Sequence, residues 1–110
     1  MGLTRIAAHF FSSRQKEIER HAKHADLTQK QVLQHLLERA KDTEYGRNHL
    51  FGSTKTYEDF AKNVPVNTYE ELKGDIDRMR HGEENVLWPG QVKWYAKSSG
   101  TTNDKSKFIP

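Results

Sequence analysis

Cysteine is absent from all 110 residues, which excludes disulfides, thiolate nucleophiles and thiolate metal sites. Apolar residues are scarce as well. They make up 34% of the sequence, below the usual globular share of about 45–50% even when the glycines are added, and the mean hydropathy is -0.97. A core built from so little is expected to be incomplete, with surface-rich helices that cover their apolar faces against further protein. No apolar run approaches the roughly 20 residues of a membrane span, so no membrane partner is expected. There is no G-x-G-x-x-G, and the Walker A pattern fails because Asp104 rather than glycine precedes Lys105. Repeats and low-complexity linkers are missing too. The net charge of +3 and pI near 9.2 do not make a nucleic-acid binder. Basic and acidic residues interleave, as in Lys16-Glu17-Ile18-Glu19-Arg20, which is the pattern of a solvated face, and no ribonucleoprotein-type motif occurs.

What is present first is helical signal, over residues 1–87. The first sixteen residues hold Arg5, Arg14 and Lys16 but no acid, a composition shared with organelle transit peptides. Leu3, Ile6, Ala7 and Phe10 follow helical spacing, however, and read as the start of a helix from about Leu3 to His24 with a break near Ser12-Ser13. The compartment expected by default is the cytoplasm. Thr28 and Gln31 match a capping box for a second helix, whose apolar face carries Val32, Leu33, Leu36, Leu37 and Ala40 until Thr43-Glu44-Tyr45-Gly46 stops it. Thr56-Tyr57-Glu58-Asp59 opens a short helix that ends before Pro65. Thr68-Tyr69-Glu70-Glu71 opens another, with Tyr69, Leu72, Ile76 and Met79 on one face and Gly82 at its end. His21 and His24 share a face but lack a third ligand, so they read as exposed histidines.

Chemistry concentrates in the last thirteen residues. Val92-Lys93-Trp94-Tyr95-Ala96 reads as a strand and Lys107-Phe108-Ile109 as the start of another, so residues 88–110 form a β-hairpin whose turn carries Ser98, Ser99, Gly100, Thr101 and Thr102. Trp88 and Trp94 are expected to pack it. Four hydroxyls around a glycine that can bring its backbone close to a ligand, followed by lysines, suit a phosphate. On composition alone the same cluster suits an ordinary solvated turn.

The flanking blocks decide between these readings. Ser-Ser-Gly-Thr-Thr followed by Lys107-Phe108-Ile109-Pro110 resembles the ATP-binding loop of the auxin-responsive-promoter family of acyl-acid amido synthetases, a branch of the acyl-adenylate-forming superfamily. Val64 through Lys73, Ile76 through Met79, Gly82-Glu83, Val86 through Gly90, and the stretch from Leu36-Leu37 to Tyr45-Gly46 are similar in type and order to its bacterial members, and the likeness runs from about Glu17 onward. One departure is Asp104, where many members carry a second glycine; Asn103 and Asp104 both tolerate left-handed backbone geometry.

The resemblance implies an α/β fold for the complete protein, within which residues 1–110 are a mainly α-helical N-terminal part of the large catalytic domain ending in the hairpin. It implies binding of ATP with Mg2+, adenylation of a small-molecule carboxylic acid, and transfer of the acyl group to an amino acid's amine. Ser98, Ser99, Gly100, Thr101, Thr102 and Lys107 would then cradle the phosphates, and no catalytic residue falls in this segment, which is expected to be inactive alone. The alternative is a small helical interaction module or pseudo-enzyme fragment whose hydroxyl loop binds no nucleotide.

Overall fold

A computed structural model describes residues 2–100 and 105–110 and divides into two compact units, Met1–Leu33 and Gln34–Pro110. The first unit consists of α1 (Gly2–Lys23) and the opening turns of α2 (Ala25–Ala40). No residue of α1 is buried. The expected break at Ser12-Ser13 does not occur, because Ser12 Oγ donates to the His9 carbonyl at 2.9 Å and stays within helical geometry. Thr28 is not a cap either: its amide already donates to His24 O at 2.9 Å, so α2 starts three residues earlier than the Thr28–Gln31 pair suggested.

In the second unit, the end of α2 contributes Leu37 and Ala40 to a small core completed by Ile76, Met79 and Val86. Val32 and Leu36, on the predicted apolar stripe, stay about half exposed, at 52% and 45%. After α2 come α3 (Glu44–Asn48), a 3-10 turn at Phe51–Ser53, α4 (Tyr57–Asn63) and α5 (Tyr69–Arg80). The last two helices start where expected, each with a capping box, Thr56 paired to Asp59 and Thr68 to Glu71. Helix α5 ends in a Schellman motif, in which the amides of Gly82 and Glu83 donate to Met79 O and Arg78 O and Gly82 takes φ +95°.

Helix α3 was not foreseen, and Thr43 explains it. That side chain is 1% exposed; its Oγ1 donates to Ala40 O at 2.7 Å and accepts from Gly46 N at 2.9 Å, so one hydroxyl closes α2 and opens α3. Only glycine fits at position 46, because a Cβ there would lie 2.0 Å from the Ala40 carbonyl oxygen.

The start of α3 is then fastened to the segment after α5. Glu44 N donates to Asn85 O and Tyr45 N to Val86 O, while Arg78 donates to Glu44, Asp75 and Glu83, with two bonds each to Glu44 and Glu83. These bonds hold both glutamates below their usual pKa and raise that of Arg78.

The hairpin is real but shorter than expected. Strands β1 (Ala96–Lys97) and β2 (Phe108–Ile109) pair antiparallel, Ala96 opposite Ile109 and Lys97 opposite Phe108. Val92–Tyr95 is not strand, and Trp94 is 88% exposed rather than packed. Trp88 is half-buried beneath Arg39, whose guanidinium lies 5.3 Å from the ring centre. Among the described residues, no helix is long and apolar enough to cross a membrane.

Candidate functional site

Helix α5 positions the hairpin through its first residue. The Thr68 cap orients Tyr69, whose hydroxyl accepts from the Phe108 amide at 3.0 Å; that amide belongs to β2, so the contact anchors the strand on α5. Across the hairpin, Ser98 N donates to Lys107 O at 2.9 Å, and Ser98 Oγ accepts from Lys107 N at 2.8 Å. The structure therefore brings together two of the sequence-predicted site residues, Ser98 and Lys107. One hydroxyl lone pair of Ser98 is committed to closing the hairpin, while its O–H proton remains able to donate.

Ser99 and Gly100 follow as exposed residues, with no hydrogen bond to another described residue. Thr101 and Thr102, together with Asn103 and Asp104, lie outside the described residues. The Lys107 side chain turns toward α5, its Nζ 5.5 Å from the centre of the Tyr69 ring.

That side of the hairpin is a cleft of about 530 Å³ lined by α5 and by residues 105–108. Its walls include Lys73 and Arg80, which the sequence reading passed over, and Tyr69, which it assigned to the core stripe. A signal was available: residues 69, 73, 77 and 80 recur at helical spacing, so Tyr69, Lys73, Asp77 and Arg80 form one face. The Arg80 guanidinium sits 3.6 Å from the centre of the Phe108 ring and 3.3 Å from Asp77 Oδ1. Chemically, the hairpin offers amides and hydroxyls on its turn and cations on its α5 side, both suited to anionic oxygen. Among the described residues, no group of three or more His, Asp or Glu could hold a metal ion.

This geometry can be set beside known proteins. The model of the GH3 family N-terminal domain matches residues 14–110, which take in the helices from within α1 onward, the hairpin and the hydroxyl turn. The chain belongs to the GH3 family. Among GH3 relatives, the indole-3-acetic acid-amido synthetase GH3.5 of Arabidopsis thaliana is 34% identical over 94 residues, covering 84% of this chain and 15% of that protein. The indole-3-acetic acid-amido synthetase GH3.15 of the same plant is 39% identical over 83 residues, covering 74% of this chain and 14% of its own length. A solved structure of the GH3.15 acyl acid amido synthetase superposes with a TM-score of 0.76 at 34% identity, over 86% of this chain and 17% of that one. The chain thus spans about 15% of the length of the GH3 relatives it matches. The resemblance read from the sequence holds for family and for fold, a mainly helical segment ending in a small antiparallel hairpin.

Proposed function

We propose that this chain is the ATP-handling N-terminal portion of an acyl-acid amido synthetase. In the proposed reaction a carboxylate oxygen attacks the α-phosphorus of ATP, the bond to the β-phosphate breaks, and pyrophosphate leaves. An amino acid's amine nitrogen then attacks the acyl carbon of the adenylate, AMP departs with the former acid oxygen, and the nitrogen loses a proton as the amide forms. AMP serves because a free carboxylate is a poor electrophile. The turn's part is to orient the triphosphate and offset its charge: Ser98, Ser99, Thr101 and Thr102 donate hydroxyls, Gly100 lets the backbone approach, and Lys107 adds a positive charge. Magnesium would arrive with the nucleotide and help to offset the charge of its phosphates. The substrates are small molecules, and the reaction belongs in the cytoplasm.

The observation that carries this reading is the closed base of the hairpin, Ser98 bonded to Lys107, from which the exposed Ser99 and Gly100 lead into the turn, in a chain of the GH3 family. One turn on a helical platform cannot also position a carboxylate against the α-phosphate, so the 110 residues are inactive alone. The test is acid-dependent ATP–pyrophosphate exchange, screened over carboxylic acids, with residues 14–110 placed in the corresponding part of the GH3.15 enzyme. Exchange supports the synthetase reading. A folded chimera that exchanges with no acid its parent accepts favours the interaction module.

A further inference from the structure

The cleft between α5 and β2 carries four cations, Lys73, Arg80, Lys105 and Lys107, against two acids, Glu70 and Asp77. Elsewhere in the same unit a cation that serves the fold is saturated: Arg78 binds three carboxylates. The cleft is built differently. Lys73 and Lys105 have no hydrogen bond or ion pair with any described residue. Lys107 rests over the Tyr69 ring, and Arg80 sits over the Phe108 ring with Asp77 as its one carboxylate among the described residues. Aromatic faces hold a cation in place without neutralising it, so among its described residues the cleft keeps an excess of two positive charges.

We infer that this cleft binds a small oligophosphate, gripped by Lys73 and Arg80 from α5 and by Lys105 and Lys107 from the strand that leads out of the hydroxyl turn. Several separated cations match an anion whose charge is spread over many oxygens better than a single carboxylate. A volume of about 530 Å³ admits pyrophosphate or the phosphate tail of a nucleotide. Only the role assigned to this site rests on the proposed function, where it would receive the departing pyrophosphate; the binding itself does not.

Calorimetric titration of the 110-residue chain with inorganic pyrophosphate at low salt, with ATP and sulfate as comparison arms, tests this. Pyrophosphate should bind one per chain and more tightly than sulfate. Lys73→Ala should weaken it about 3- to 5-fold, as for a solvent-exposed charge pair, and the Lys73→Ala/Lys105→Ala double variant about 10-fold or more. Both lysines are exposed and neither has a hydrogen bond or ion pair with another described residue, so tryptophan fluorescence should report an unchanged fold. Lys62→Ala on α4 should leave binding as it was. Tighter binding of ATP than of pyrophosphate identifies the nucleotide tail as the source of the phosphates; the reverse identifies the free product. No binding, or an equal loss in Lys62→Ala, overturns the site. Binding that survives the double variant but is lost in Gly100→Val puts the anion in the turn, which overturns the cleft and leaves the proposed function standing.

Discussion

Replacing Thr43 with valine keeps the shape of the side chain and removes one hydroxyl from a site that is 1% exposed. That hydroxyl bonds Ala40 O and Gly46 N. The Ala40 carbonyl retains the Thr43 amide at 3.1 Å, but the Gly46 amide is left buried with no acceptor, in place of a capped helix start. Loss of an N-cap costs about 0.5–2 kcal/mol, and a buried amide left unsatisfied about 1–3 kcal/mol. The two describe one bond and do not add, so about 2 kcal/mol is expected. For a unit the size of Gln34–Pro110 this lowers Tm by about 8–16 °C. Urea unfolding followed by tryptophan fluorescence is a suitable assay, because Trp88 is half-buried in that unit while Trp94 is already in water. Thr43→Ser, which keeps the bonds and loses a methyl, should cost about 1 kcal/mol or less. A Thr43→Val midpoint equal to that of the unaltered chain would refute the shared-cap explanation of α2 and α3.

Gly46→Ala should be worse than Thr43→Val, about 3 kcal/mol or more, since the new Cβ would overlap backbone rather than a movable side chain; denaturant midpoints of the two variants check the order. Acid should destabilise the chain in a defined window. Glu44 and Glu83, bonded to Arg78, and Glu71, bonded to the Thr68 amide, all titrate below the ordinary 4.5. Their contribution is therefore complete above about pH 4.5 and is lost as pH falls through the lowered folded-state values. Arg78→Met returns Glu44 and Glu83 to ordinary values, so it should lower Tm at pH 7 and flatten the decline from pH 4.5 to 2.5; an unchanged slope would show that Arg78 does not set it. The purified 110 residues should release no pyrophosphate from ATP with any carboxylic acid, as read by a coupled phosphate assay; acid-dependent release would show that the segment holds a complete site.

The sequence was most legible where local chemistry acts alone. The helix starts at Thr56 and Thr68 and the stop at Gly82 depend on residues within a few positions of one another, and they lie where expected. Thr28–Gln31 has the same pattern and failed, because residues 25–27 were already good enough helix formers to carry α2 past it. Helix α3 was missed because Thr43 acts on both sides at once and Gly46 reads as a terminator when its backbone contact with Ala40 is unseen. The hairpin was found but drawn too long: Val92–Tyr95 has strand composition with no partner strand to pair with. At the site, residue type points to Ser98 and the family resemblance to Lys107, and the structure adds that they bond to each other. Helical spacing puts Lys73 and Arg80 on one face, but only the hairpin folding back on α5 brings them beside Lys107.

Acid-dependent ATP–pyrophosphate exchange, measured in the GH3.15 chimera carrying residues 14–110 and in its Gly100→Val and Lys107→Ala variants, bears most directly on the phosphate-binding role proposed for the turn. Lys107→Ala removes a charge-assisted contact to phosphate of about 1.5–3 kcal/mol, so exchange efficiency should fall roughly 10- to 150-fold. Gly100→Val should cost at least as much, since a β-branched side chain keeps the backbone away from the phosphates. Lys62→Ala should exchange at the parent rate. Undiminished exchange by folded Gly100→Val and Lys107→Ala chimeras would reduce the hydroxyl-rich segment to an ordinary turn and contradict its role in ATP binding.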